Sequence, residues 1–542
     1  MANRYWNPAA DANWADANVW ATTYNGDPTG VATPTQNDDC FFTATNSHKC
    51  TISATANCNN LYFDNADNGG LGDWVGTLTQ TGGNALNIYG SLAFSSGMTN
   101  SSATITFRAT SGTNTIKCNT KHFYVYGVTF NGAGGTFQLL DDLETWGNFV
   151  LTAGTFDPNG HGVKILTEGI VNAIQGSPTF YNLTINDTSI GNGLTLNNNI
   201  IVTNNLTIAG TGAGNTRHFI SSNTVGTPRT ITCTGASVNY SNTDFQDITI
   251  VNGTLGTNSS VGDCGGNTGI TFTGTADQHW VGTIANSGTG TWSTAANWTS
   301  RVPLPQDNVY MDKAFGTSCT VSADMPRLGK SIDWTGATWT TGLTYTDSTT
   351  SSMFGSLTLI SGLTYSNVGS VLTLAGRGNY TITGNTVTIS QAITINAPTG
   401  TYTLGGNLLM LTSRTLTITN GTFTCINGGN NYILNISGIA LQPNGTLTLG
   451  SAIHLLNNAG TPFNNTGGII TSFTGTLKFT DSTNSGITFA GAGATYNNIY
   501  FSRGASTGSI TITGSNTFND FKDDGTAAHS ITFTAFTTQK RA

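Results

Sequence analysis

Charge is scarce in this chain. Its 542 residues include 19 Lys and Arg and 27 Asp and Glu, or 8% charged, where an ordinary globular protein carries about 25%. Glutamate occurs only at Glu144 and Glu168. Helical bundles and coiled coils need Glu, Lys, Arg, Ala and Leu in quantity, so both are excluded. No long stretch repeats apolar residues every 3.6 positions, which argues against Rossmann and TIM-barrel enzymes. A net charge of −8 gives no electrostatic footprint for nucleic acid or an anionic membrane. No run approaches the ~20 apolar residues of a membrane span. The opening Met1-Ala-Asn-Arg-Tyr-Trp6 lacks the apolar core of a secretory leader. A polar β-type composition without a leader suggests a virion component released by lysis, or export by a dedicated machine.

Chemistry-bearing patterns are also missing. The cysteines, Cys40, Cys50, Cys58, Cys118, Cys233, Cys264, Cys319 and Cys425, form no CxxC pair. They read as buried small hydrophobes, with a Cys40–Cys50 bridge as the alternative. The seven histidines are scattered singly, without HxH or HExxH spacing. Asp pairs at 38–39, 141–142 and 523–524 offer loop oxygens to Ca²⁺, but no EF-hand or GGxGxD repeat accompanies them. There is no Walker loop, GxSxG elbow or Cys/His nucleophile arrangement. No catalytic residue, metal site or cofactor is assigned.

What the chain has is threonine, 98 residues of it, with 68 glycines and 10% aromatics. Apolar–Thr–apolar triplets recur, with the period-2 alternation that buries one face of a strand. They include Leu183-Thr-Ile185, Leu206-Thr-Ile208, Ile231-Thr-Cys233, Ile248-Thr-Ile250, Ile487-Thr-Phe489, Ile510-Thr-Ile512 and Ile531-Thr-Phe533. Gly, Asn, Asp and Ser fill the intervals and supply turns. Recurrence at ~20–25 residues is what stacked solenoid coils require. Asn and Thr at equivalent turns are then placed to form side-chain ladders.

A duplication lies on top of this repeat. Pro34-Thr-Gln-Asn-Asp-Asp-Cys-Phe-Phe42 aligns with Pro303-Leu-Pro-Gln-Asp-Asn-Val-Tyr-Met311 at an offset of 269, which also lays Cys50 on Cys319. Trp6, Trp14 and Trp20 correspond loosely to Trp280, Trp292 and Trp298. The expected fold is all-β: two tandem parallel β-helix modules, 1–275 and 276–542. The joint is expected at the Gly-rich stretch 262–267 and the segment to Gln278. A string of β-sandwich domains is the alternative, because strands every 8–12 residues suit it as well.

Thr289-Gly-Thr-Trp-Ser-Thr-Ala-Ala-Asn-Trp298, followed by Val302-Pro and Gln306-Asp-Asn, resembles the opening repeat of autotransporter-passenger-like β-solenoid proteins. Arg4-Tyr-Trp6, Asn13-Trp14 and the segment Pro34 to Phe42 look like the start of phage-encoded, Gly/Thr/Asn-rich structural proteins. The similarity covers both module starts and extends to the coils only in composition. It implies a virion surface or fibre-type protein with a β-helical body. The cluster Asp141-Asp142-Leu-Glu144 with Gly160-His-Gly162 and Asn242-Thr-Asp244 resembles pieces of the polygalacturonase signature, but in a different order. Asp141 and Asp142, adjacent in a strand, would point to opposite faces, so they read as solvated turn acids.

Six of the ten tryptophans fall at the module starts: Trp6, Trp14, Trp20, Trp280, Trp292 and Trp298. Large aromatics there can cap a terminal coil, or form a platform for a sugar or partner. The N-terminal copy has no preceding module to pack on, and exposed indoles call for a docking partner. The expected function is a non-enzymatic structural protein of a phage virion surface, as capsid decoration, fibre or spike body. Alternatives are a glycan-binding adhesin and a β-helix polysaccharide hydrolase or lyase. Expected partners are other virion proteins, further copies of the chain such as a trimer, and a cell-surface glycan. Neither nucleic acid nor membrane insertion is expected. The expected location is the virion surface, outside the cell.

Overall fold

A computed structural model describes residues 2–101, 104–124, 127–167, 171–187, 193–212, 217–282, 289–347, 349–367, 369–535 and 538–539. The chain is a β-solenoid of about 20 turns. Strands pair in parallel with the strand one coil further on, and this separates a solenoid from the sandwich alternative, whose neighbours run antiparallel. In one column Cys40 stacks on Leu61, then Leu92, Ile116 and Leu139. In another, Leu372, Ile393, Leu416, Ile439, Phe463, Phe489, Ile512 and Phe533 follow one another. Antiparallel pairing is seen where Trp6 faces Trp20, where Trp280 faces Trp298, and in the hairpin of Ile426–Asn427 with Asn430–Asn431.

The chain forms two compact units. One runs to Val261 and includes Asn267–Thr273; the other comprises Gly262–Gly266 and Gly274 onward. Each has its own apolar core of inward-facing Leu, Ile, Val and Phe.

The triplets belong to more than one column. Leu183-Thr-Ile185 lies residue on residue over Leu206-Thr-Ile208. Leu206 then meets Val238, whereas Ile231 stacks between Ile200 and Ile250. The even spacing in sequence therefore mixes different faces of a coil.

Asparagine holds the corners. Buried carbonyls need a donor, and corner amides reach back one coil to supply it. Asn68 donates to the Phe42 carbonyl (3.0 Å), Asn119 to Phe94 (2.6 Å) and Asn159 to Leu139 (3.0 Å). In the second unit Asn385 donates to Leu359 (2.8 Å) and Asn427 to Leu404 (3.2 Å). Ladders form as well: Asn420 donates to Asn396 at 2.7 Å, and the Thr448 and Thr471 hydroxyls lie 2.7 Å apart. The Phe463 and Phe489 rings stack at 5.1 Å.

The duplicated Pro34 and Pro303 segments contain one shared device. Asp38 accepts from the Thr35 N–H (2.8 Å) and Asp307 from the Leu304 N–H (2.9 Å), both from three residues upstream. Each buried carboxylate also meets an arginine, Arg4 at 3.6 Å and Arg301 at 2.7 Å. The offset changes at the next strand. Trp14 donates its main-chain N–H to Thr51 and Trp292 to Ser322, both at 2.8 Å. With the tryptophans matched, Cys50 falls on Val321 and not on Cys319, because Ala12 faces Cys50 while Gly290 faces Val321. All eight cysteines are buried free thiols, Cys40 and Cys50 included.

Candidate functional site

The six module-start tryptophans are packed inward, each 0–4% exposed. Trp6 stacks on Phe42 with ring centroids 5.5 Å apart, and Trp14 meets Trp20 edge-on at 4.7 Å. Trp298 meets Trp280 at 4.9 Å and Trp292 at 4.8 Å. None offers a ring face to solvent, so a flat sugar-binding platform is not formed by Trp6, Trp14, Trp20, Trp280, Trp292 or Trp298. The docking argument for the N-terminal copy falls with it. Trp6, Trp14 and Trp20 cover one another and Phe42 inside their own unit, leaving no exposed indole patch.

A different cluster occupies the outer surface of the first unit. Strands His122–Phe123, Leu143–Thr145 and Gly162–Thr167 lie side by side, with His122 beside Glu144 and Glu144 beside Lys164. Asp142, Glu144 and Trp146 alternate outward along one line, while Leu143 and Thr145 point into the core. The His122 imidazole lies flat against the Trp146 indole, centroids 4.2 Å apart at 7°, and Tyr124 closes on both at 4.3 and 5.3 Å. Glu144 accepts from the Trp146 indole N–H (2.7 Å) and from the Lys164 ammonium (2.9 Å). Partial burial pushes the Glu144 carboxyl upward, but these two donors outweigh it and hold the group below its ordinary value.

The paired aspartates reach to different coils, Asp141 back and Asp142 forward, with different roles. Asp141 is half-buried and accepts the N–H groups of Cys118 and Asn119, both at 2.6 Å. Asp142 points outward with 82% of its side chain exposed; its Oδ1 accepts the Gly162 N–H at 2.7 Å and lies 3.8 Å from His161 Nδ1. Of the predicted turn acids only Asp142 is solvated; Asp141 clamps a turn and Glu144 holds a lysine and an indole. Glu168 lies outside the described residues. Asp244, the last residue of Asn242-Thr-Asp244, is buried against Arg217 and is not part of this face.

A groove of about 450 Å³ runs beside the cluster, lined by Ser96, Asn119, Thr120, Asp141, Asp142 and His161. Its turn is tight: Asn119 and Thr120 both have positive φ (47° and 66°), closed by Lys121 N–H to the Cys118 carbonyl at 2.8 Å. The second unit repeats this turn at Asn385 and Thr386 (44° and 68°), closed by Val387 N–H to Gly384 at 2.9 Å. Counting three residues on from each Asn matches His122 with Thr388. The neighbouring row then runs Thr388, Leu409, Asn435, where the first unit has His122, Glu144, Lys164. The turn is shared scaffold; the charged and aromatic row is peculiar to the first unit.

A two-carboxylate mechanism needs one protonated acid. Asp142 and Glu144 are two residues apart on one strand face, about 7 Å along the chain. Glu144 is held ionised, with an oxygen bonded to each of two donors, so it is poorly suited to proton donation. Among the described residues no group of three metal-ligating side chains occurs, and no helix is long and apolar enough to cross a membrane. What the face offers is directed hydrogen bonding beside a fixed aromatic edge. His122, Tyr124, Trp146 and Lys164 are not recognisable as a group from the sequence. Their only signal is the spacing of 22 and 20 residues from His122 to Glu144 to Lys164. Compared with known protein families, curated proteins and solved structures, the chain matches none.

Proposed function

We propose that this chain is a non-enzymatic structural protein of a phage virion surface, serving outside the cell as a decoration, fibre or spike body, with other virion proteins as partners. The observation that carries this reading is where the polar groups go. Corner asparagines bond one coil to the one before it, and buried ion pairs such as Arg217–Asp244 and Arg503–Asp481 tie loops to the body. A parallel solenoid whose coils are bonded to one another in this way is suited to a display role. The resemblance of the module starts to phage structural proteins supplies the virion context.

Mass spectrometry of particles purified from the source tests the reading. The chain is expected in intact particles in a fixed ratio to the major structural protein. Its recovery only in the particle-free fraction would overturn virion membership. Release of reducing ends from a polysaccharide by wild type, lost in Glu144→Gln, would overturn the non-enzymatic part.

A further inference from the structure

We propose that the outer face of the first unit binds a neutral, hydroxyl-rich saccharide along the line Asp142, Glu144, Trp146, seated in the groove of Ser96, Thr120 and His161. This goes beyond the structural role and does not depend on it.

The two units supply an internal comparison. They share the Asn119 and Asn385 corner, and their matched rows point away from the core. Thr388 and Leu409 show that the second unit's row holds together without charge or aromatic groups. His122, Glu144, Lys164 and Trp146 are therefore not required by the solenoid as such. Outward-facing, half-buried positions carrying aromatic and charged groups that the scaffold does not demand point to recognition.

The geometry is preorganised. Trp146 is half-buried, with one ring face against His122 and its N–H on Glu144. A side chain already fixed loses little rotamer freedom on binding. Asp142 is aimed by the Gly162 N–H through Oδ1; among the described residues no donor reaches its Oδ2. A carboxylate oxygen of this kind accepts from sugar hydroxyls, and the Thr120 and Ser96 hydroxyls and His161 supply complementary groups along the same groove.

Charge selects among saccharides. Asp141 and Asp142 line the groove, and the Lys164 ammonium is already bonded to Glu144, so a polyuronate or a sulfated glycan meets like charge. A neutral glycan meets only hydrogen-bonding groups and an aromatic edge. The groove's volume falls within the range of small-ligand sites.

The test uses the full chain, titrated by calorimetry with neutral gluco-, galacto-, manno- and xylo-oligosaccharides, and with oligogalacturonate and dextran sulfate as anionic counterparts. At least one neutral series is expected to bind saturably. Asp142→Asn should weaken it about tenfold, the loss of one charge-assisted hydrogen bond. Trp146→Ala should weaken it about a hundredfold, and Trp146→Phe by an intermediate factor. Leu411→Ala, on the second unit, should leave binding unchanged. Asp142 is exposed, so Asp142→Asn keeps the thermal midpoint of wild type and its binding loss is not unfolding. The proposal is overturned if no neutral oligosaccharide binds, if the anionic probes bind better, or if Asp142→Asn and Trp146→Phe both bind as wild type. None of these results bears on virion incorporation, so the two readings fail separately.

Discussion

Trp298 donates its indole N–H to the main-chain carbonyl of Trp292 at 2.7 Å, and Trp20 does the same to Trp14 at 2.9 Å. In both units the donor lies six residues after the acceptor, and the two rings meet edge-on. Burial of an indole brings its N–H along, and a carbonyl in the same cap satisfies it. Replacing the donor separates the two contributions. Trp298→Phe keeps most of the ring but orphans the Trp292 carbonyl, an expected loss of about 1–3 kcal/mol. Trp298→Ala also opens a cavity, for about 3–5 kcal/mol. Urea midpoints should rank wild type, Phe, Ala; equal midpoints for wild type and Trp298→Phe would contradict the hydrogen-bond account.

Asn119, Asn159 and Asn385 each perform two tasks, which substitutions at Asn385 can separate. Its φ of 44° lies in the left-handed region, and its amide donates to the Leu359 carbonyl. Asn385→Gly keeps the backbone conformation at low cost and loses the donor, for about 1 kcal/mol. Asn385→Ala loses the donor and strains the backbone, adding about 1–2 kcal/mol. Thermal or urea unfolding should place Ala below Gly. Equal stabilities would show that the amide bond alone fixes the corner.

The solenoid was legible because its core is repetitive. Ile487, Ile510 and Ile531 do stack in direct register, as their triplets suggest. Where the chain inserts residues the pattern misleads, as at Leu206, whose partner is Val238, 32 residues on. The tryptophans were visible as a group, but whether a Trp faces inward depends on neighbours such as Phe42 that only the coil path brings close. The row His122, Glu144, Lys164 was the least legible. Its members come from three coils, and a change of one residue in either corner would turn a side chain to the other face. Asp141 and Asp142 precede the strand Leu143–Thr145, so strand alternation does not govern them; they bond to different coils yet line one groove.

Arg503 should be among the least replaceable polar residues. Buried, it donates to the carbonyls of Asp481 (2.9 Å), Gly508 (2.8 Å), Thr483 (2.9 Å) and Ser485 (2.7 Å), and to the Asp481 carboxylate at 3.1 Å. A hydrophobic replacement can offset the loss of a buried ion pair, but it supplies no donors to the carbonyls. Arg503→Met is expected to lose about 3–5 kcal/mol. Limited proteolysis should then cut within 481–485 before the rest of the second unit. A variant as stable and protease-resistant as wild type would refute the pinning role.

His454 makes stability fall in mild acid. Its Nδ1 accepts the Leu434 N–H at 3.2 Å, so Nε2 carries the proton and donates to the Leu449 carbonyl at 2.9 Å. Burial disfavours the imidazolium and outweighs the Leu449 carbonyl, pushing the pKa down from 6.5 to about 4. Above about pH 6.5 the ring is neutral in both folded and unfolded chains and contributes no pH dependence. Between about 6.5 and 4 the unfolded chain takes up a proton that the folded chain refuses, so stability drops as pH falls. The loss amounts to about 3 kcal/mol when complete and levels off once the folded chain also protonates. His454→Gln removes this titration. Its stability at pH 7.5 should be lower than wild type by a fixed amount, and the gap should narrow or reverse at pH 4.5. Carboxylates titrate alike in both proteins, so the difference between their urea midpoints across this window isolates the histidine. Parallel profiles would mean that His454 protonates without unfolding its corner.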